Sequence, residues 1–500
     1  MRSTALFRLA PATLTLLLLA GCGTQVVNPV SGRTERSVMD ESAEIAEGRK
    51  AHQQVLAEYG ALANPRLQAY VNDVGQKLAR YSHRANLQWT FTVLDSPEVN
   101  AFALPGGYIY VTRGIMAVMD SEADLAGVIG HEIGHVTARH GAQRATSQQN
   151  AGIGVLAATV LGVLIEGATG AQGVAQAAGQ LGQGVAAGRL ASYSRDQETQ
   201  ADELGAEYLA RARYNPSNMV DVIQVLKNQE RFATDQARTE GRGAPAGGGW
   251  LASHPSNDKR LADMQRVASR YSGNYDDDGR ARYLQAVDGM AFGESADQGL
   301  TRGRNFFHAD LGIALTAPPG WQVRNGADAV TLVNGAGDAG LVMRVLPPDA
   351  GNTHEEIIRN VVKPSDGRIE RRNLNGLQAT HFEGVRRNAQ GETQGVVVSV
   401  VSGPANRKFL LQYTARDAAA LQRAAAQLND AESSFRPLTA SDRAGAQPWT
   451  LQTVAYPAGG FAELARRSPL PAADSTLRLL NGVYGPGPEP RQGALVKTVR

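Results

Sequence analysis

His131-Glu132-Ile133-Gly134-His135, inside the segment Ser121–Arg144, is the stretch from which the rest of the chain is read. Residues four apart share one face of an α-helix. A helix here therefore projects His131 and His135 together, with Glu132 beside them. Ser121 followed three residues later by Asp124 has the form of a capping box, the start signal for such a helix. Two imidazoles at this spacing can bind one zinc ion, and the adjacent Glu can serve as general base on the metal's water. The same pattern also arises by chance as two surface histidines on an ordinary helix, so the reading requires a third ligand.

A catalytic zinc site has three protein ligands and an open position for water. Glu198, in Glu198-Thr199-Gln200-Ala201-Asp202, offers the third from a second predicted helix. Asp202 follows one turn later on the same face, where its carboxylate can accept the remaining N–H of a ligand histidine and orient the ring. The competing reading of this segment is a solvated acidic face made by Glu198, Asp202, Glu203 and Glu207.

His131-Glu132-x-x-His135, then Ser194-Arg195-x-x-Glu198-x-x-Ala201-Asp202, then Ser253-His254-Pro255 with Arg260, resemble the gluzincin metalloproteases of the HtpX, BepA, LoiP and Oma type. In that family the third zinc ligand is a Glu. Upstream, Asn100-Ala101-Phe102-Ala103-Leu104-Pro105-Gly106-Gly107 is similar to the same family. The resemblance covers roughly Glu44 to Tyr271 and does not extend to the remainder. It implies one Zn²⁺ per chain, held by His131, His135 and Glu198, with Glu132 as catalytic base and Asp202 supporting a ligand. It implies that Arg260 pairs with a core carboxylate or helps form the cleft. Asn100, Ala101 and Phe102 would lie on an edge strand that binds peptide through main-chain hydrogen bonds; a plain hairpin closing the sheet is the alternative. His254 would lie near the zinc, either stabilising the oxyanion or capping the metal in a closed form.

The N-terminus reads as a targeting segment over 1–21, set apart from the fold. Arg2 and Arg8 form a basic region, Leu14–Ala20 a short apolar one, and Leu19-Ala20-Gly21-Cys22 resembles a bacterial lipobox. The apolar run is too short for a membrane-spanning helix. Cys22 is the only cysteine of the chain, so no intrachain disulfide can form. By that resemblance Cys22 carries the lipid, several acyl chains anchor it stably, and Gly23 favours the outer membrane. An ordinary signal peptide with an incidental cysteine is the plainer alternative.

The length of 500 residues suggests two or three domains. A charged fraction of 20% and a net charge of +2 are those of an ordinary folded protein, and no basic block points to nucleic acid. Residues 22–40, with Val26–Arg36 at their centre, read as a polar tether, and 41–272 as the HExxH metalloprotease domain. Glu41–Tyr59 and Pro65–Tyr81 are predicted helices; in the second, Leu67, Tyr70, Val71, Val74, Leu78 and Tyr81 fall at amphipathic spacing. Trp89, Phe91 and Val93 alternate as a half-buried strand, and Asn100–Leu104, Pro105-Gly106-Gly107 and Tyr108–Val111 read as strand, turn, strand. Ala151–Ala191, rich in Ala, Gly and Gln, reads as a helical lid, with a membrane-surface contact or a bare connector as alternatives.

Ser272–Arg304 reads as a linker. Residues 305–437 form a predicted β-rich α+β domain, with strands at Val330–Val333, Leu341–Val345, Val396–Val400 and Phe409–Tyr413 and helices at Glu355–Val362 and Ala418–Phe435. His308, His354 and His381 are scattered there and are read as non-catalytic. Residues 449–500 weakly resemble a LysM module, which implies peptidoglycan binding. The fold class is therefore α+β: a mainly helical zincin domain with a small sheet, a β-rich domain and a small C-terminal module. The expected function is zinc-dependent endopeptidase action on unfolded or misfolded envelope proteins in the periplasm. The alternatives are a chaperone-like assembly factor for outer-membrane proteins with latent proteolysis, and a wall-binding scaffold.

Overall fold

The computed structural model describes residues 24–147, 149, 193–239, 250, 254, 258–275, 277–326, 329–387, 391–485 and 487–500. The leader and Cys22, the segment Ala151–Ala191, and Ser253 and Pro255 lie outside the described residues. No helix among those described is long and apolar enough to cross a membrane.

Hairpin β1 (Thr24–Val27) and β2 (Thr34–Ser37) occupies the stretch expected to be a tether. It is not free, because its polar groups find partners on the protease region. Asn28, buried, donates to the Ala138 carbonyl at 3.3 Å, and Gln143 donates to Glu35 at 3.0 Å. Helices α1 (Glu41–Tyr59) and α2 (Pro65–Ala79) follow. Asn64 caps α2 and Pro65 opens it, its missing N–H costing nothing in the first turn. Leu67, Val71, Val74 and Leu78 bury the predicted stripe, while Tyr81 lies beyond the helix end and is exposed.

A three-stranded sheet runs in the order β3 (Thr90–Leu94), β5 (Tyr108–Thr112), β4 (Ala101–Leu104). Strand β3 is parallel to β5, and β4 pairs antiparallel to β5 through a turn at Gly106 and Gly107, whose φ values of 81° and 99° suit glycine. Strand β3 departs from the half-buried expectation: Thr92 on its other face is buried as well.

Short α3 (Arg113–Val118) leads to α4 (Glu122–Thr137), which opens on the predicted Ser121–Asp124 capping box. Every residue of α4 is buried, which explains why its pattern lacks a polar face. Its partner is α5 (Arg195–Arg211), and small residues set their approach. A Cβ on Gly134 would sit 2.8 Å from the Ala201 carbonyl oxygen, and one on Gly130 the same distance from Leu209. Helices α6 (Asn218–Thr239) and α7 (Asp258–Ala268) close this core.

Residues 273–304, expected to be a linker, instead form α8 (Arg280–Val287), β6 (Ala291–Phe292) and β7 (Leu300–Arg302), because Tyr283, Ala286 and Val287 bury into the protease core. A four-stranded sheet orders β17 (Arg436–Pro437), β9 (Ile313–Thr316), β8 (Asn305–His308) and β7. A seven-stranded antiparallel sheet orders β10 (Gln322–Asn325), β11 (Val330–Val333), β12 (Ala339–Val345), β16 (Lys408–Ala415), β15 (Thr393–Ser402), β14 (Leu377–Arg387) and β13 (Asp366–Leu374). Helix α9 (Ala418–Ser433) packs on β12 and β16. The predicted strands lie within these elements, and the expected helix at Glu355–Val362 is α-helical only over His354–Ile357.

The C-terminal stretch runs β18 (Trp449–Ala455), α10 (Gly460–Ala465), α11 (Ala473–Leu480), β19 (Leu495–Val499). It is no detached module. Strand β18 pairs with β6 as well as β19, and Leu451, Leu477, Val496 and Val499 share the core of the protease region. Lys497, fully buried, donates from Nζ to the carbonyls of Ala117 and Met119, at the entry to α4.

The α4–α5 approach yields a direct prediction. Gly134→Ala places a methyl against the Ala201 backbone, which cannot retreat as a side-chain tip can. We expect a loss of about 1–3 kcal/mol in stability, read by urea unfolding; an unchanged midpoint would show that the two helices do not meet here.

Candidate metal centre

Helix α4 brings His131 and His135 to one point, their rings edge-to-face with centroids 4.7 Å apart and their Nε2 atoms 3.0 Å apart. The first turn of α5, capped by Ser194 and Gln197, delivers Glu198. A carboxylate there is favoured by the helix N-terminus. Glu198 Oε2 lies 3.6 Å from His131 Nε2, and Oε1 lies 3.4 Å from His135 Nε2. His254 completes the group, its Nδ1 3.2 Å from His131 Nε2 and 2.9 Å from Glu198 Oε1. All four side chains are buried.

A second layer holds these donors. Asp202 Oδ1 accepts from His131 Nδ1–H at 2.8 Å. Arg260 clasps Asp202 with two bonds of 2.7 and 2.8 Å and reaches Glu198 Oε2 at 2.8 Å. Trp250 stacks on His254 and donates from Nε1 to Glu132 Oε1 at 3.0 Å. Tyr193 stacks on His135 with centroids 3.9 Å apart. His140 places Nδ1 2.9 Å from His135 Nδ1.

The electrostatics identify what the cage would hold. Burial works against a charged His131 imidazole, but the Asp202 carboxylate outweighs it and holds the pKa above the ordinary value. Burial drives His135 well below its ordinary value and His140 down to about 4. Burial alone would raise the Glu198 carboxyl, yet hydrogen bonds with His135 and His254 keep it far below the usual carboxylate range. Glu132, Glu198 and Asp202 are buried together, and among the described residues one guanidinium, Arg260, pairs with Glu198 and Asp202. The deficit of positive charge is what a divalent cation supplies. The spacing agrees: ligands ~2.0–2.1 Å from a tetrahedral zinc lie about 3.3–3.4 Å from one another. Among the described residues Glu132 Oε2 is buried without a hydrogen-bond partner, an acceptor suited to a water or substrate proton. The cluster fits a zinc site.

The predicted residues are mostly brought together. His131, His135, Glu198 and His254 share one point, with Glu132, Asp202 and Arg260 around it. The solvated acidic face divides instead: Glu198 and Asp202 are buried, Glu203 is exposed. Ala101 and Phe102 lie on β4, whose outer edge has no strand partner among the described residues, and Asn100 immediately precedes it. His308, His354 and His381 are not members of the cluster. Sequence reasoning missed His140, Tyr193 and Trp250. A third histidine five residues beyond His135 was the available signal for His140; the two aromatics carried none beyond proximity to Ser194 and His254.

This site and its helices define a metallopeptidase-type domain: residues 65–268 match Peptidase family M48, so this part of the chain is an M48 domain. The chain is similar to the beta-barrel assembly-enhancing proteases of Yersinia pestis, at 28% identity over 52% of this chain and 52% of that protein, and of Escherichia coli K12, at 25% identity over 57% and 54%. It is also similar to the mitochondrial metalloendopeptidase OMA1 of Schizosaccharomyces pombe, at 28% identity over 47% and 64%. The chain spans about half the length of the beta-barrel assembly-enhancing relatives.

Asp202→Asn keeps the shape of the second layer but removes the charge facing His131. We expect zinc affinity to fall about 10–100-fold, measured by chelator competition; affinity equal to wild type would show that this carboxylate does not support the ligand.

Proposed function

We propose that this protein is a zinc-dependent endopeptidase of the bacterial periplasm that degrades misfolded or misassembled envelope proteins. The observation that carries the reading is the convergence of two imidazole Nε2 atoms and the Glu198 carboxylate beside the uncommitted oxygen of Glu132. His131, His135 and Glu198 would hold the metal, which when bound lowers the pKa of a water towards ~7 and polarises the scissile carbonyl. Glu132 takes the proton from the attacking water and passes it to the leaving amine. Its Oε1 is steadied by Trp250, leaving Oε2 to face the reaction. Asp202 and Arg260 orient His131 and balance the buried charge. The free edge of β4, with Asn100, Ala101 and Phe102, receives the substrate as an added strand, which places few demands on its sequence.

His254 stands at the fourth corner of the cage, where water or a substrate oxygen must enter. That position favours a second reading: a resting, self-capped enzyme that acts on outer-membrane proteins chiefly as an assembly factor, with proteolysis latent until His254 withdraws. The similarity to beta-barrel assembly-enhancing proteases supports outer-membrane assembly as the setting. A lipid anchor at Cys22, and peptidoglycan contact through the strand–helix–helix–strand order of 449–500, belong to the same proposal.

Glu132→Gln separates the readings. Cleavage of casein and of unfolded outer-membrane proteins should fall about 10²–10⁴-fold with zinc retained, while cleavage at the wild-type rate defeats the enzyme reading. If the same variant restores envelope integrity in a deletion strain, the assembly role dominates. Fractionation tests the setting: the full chain should follow outer membranes in a Cys22-dependent way and sediment with purified peptidoglycan. Recovery in the soluble fraction, unchanged by Cys22→Ser, would sink the anchor.

A further inference from the structure

His140 is fully buried, and neither the HExxH spacing nor the proposed mechanism uses it. Its Nδ1 lies 2.9 Å from Nδ1 of His135, and its Nε2 lies 3.0 Å from Oε1 of Gln200. Two imidazole nitrogens so close form a hydrogen bond only when one carries the proton and the other a lone pair. The Gln200 amide oxygen can only accept, so the single proton of a neutral His140 ring sits on Nε2. Nδ1 of His140 is then a lone pair, and His135 donates its Nδ1–H to it. Nε2 of His135 is left as the lone pair that faces His131 and Glu198. The opposite tautomer would turn an N–H towards that corner and close it to a cation.

The backbone is shaped for this contact. In an unbroken helix, residues five apart are rotated about 140° from one another and cannot face each other. Here α4 stops at Thr137, Arg139 takes a left-handed φ of 60°, and helical structure resumes at 140. A non-glycine residue in that region is uncommon and costs energy. The Arg139 side chain holds it there, lying 3.0 Å from Glu44 and donating to the Met39 carbonyl at 2.8 Å.

Resting on the zinc reading above, we propose that His140 is a positioning residue that sets the tautomer and ring orientation of His135, with Gln200 setting that of His140. The two histidine ligands are held by unlike partners, His131 by a carboxylate and His135 by a neutral imidazole chained to an amide. Such outer partners fix a ligand's donor atom and tune its basicity.

The test is the zinc dissociation constant, measured by chelator competition at one pH on the purified full chain. Wild type, His140→Phe, His140→Gln and Gln200→Leu are compared, with His131→Ala as control. His140→Phe, which keeps the ring but has no acceptor, should bind zinc about 10–100-fold more weakly. His140→Gln, whose amide oxygen can accept from His135 Nδ1–H, should stay within about fivefold of wild type, and Gln200→Leu should lose roughly fivefold. Affinity for His140→Phe equal to wild type, or equal losses in the Phe and Gln variants, overturns the proposal, the second outcome because packing alone would then be at stake. If His140→Phe lacks a cooperative thermal transition, Gln200→Leu decides, and wild-type affinity there overturns it. A wild-type protein that holds no zinc, or His131→Ala that holds it as tightly, defeats the underlying metal reading instead.

Discussion

The structure depends on how closely α4 and α5 approach. Gly130 and Gly134 on one helix face Gly205 and Ala201 on the other with no room for added methyls. Only at that separation can a carboxylate on the first turn of α5 reach imidazoles in the second half of α4. Larger residues at these positions would hold the helices apart, and Glu198 and Asp202 would face solvent as ordinary surface acids. A close contact between small residues thus becomes a buried polar cluster.

Burying that cluster is expensive. An ionised carboxylate taken out of water must be paired and hydrogen-bonded, and three of them crowd here. Arg260 answers for Asp202 and Glu198 together, Trp250 donates to Glu132, and His254 leans on Glu198. The arrangement is still short of positive charge, which is the physical reason the cage suits a divalent ion. The same burial packs the rings closely: Tyr193 stacks on His135 and Trp250 stacks on His254.

The ends of α4 are secured from far away in the chain. At its entry, Lys497 near the C-terminus caps the carbonyls of Ala117 and Met119; at its exit, Asn28 in the N-terminal hairpin bonds the Ala138 carbonyl. These carbonyls lie in the last turn of α3 and at the helix ends, where the helical ladder leaves acceptors open, and side chains fill them. Segments expected to be a free tether and a separate module therefore act as struts for the helix that carries the histidines.

Much of the site was legible before any fold was known, because local rules govern it. The capping box at Ser121, the stripe of α2 and the turn at Gly106-Gly107 follow from short-range geometry, and so does the shared face of His131 and His135. The chain by itself thus determined the helices that carry the ligands and which residue types could meet a metal. What it left open were features with no local period: the burial of Lys497, the docking of residues 273–304, the reach of Arg260 and Trp250, and the turn of His140 onto His135. These depend on which surfaces face each other, and on a positive φ at Arg139 that no sequence pattern announces. Only the tertiary structure decided them, since a contact between residues hundreds of positions apart is set by packing and charge compensation and not by spacing along the chain.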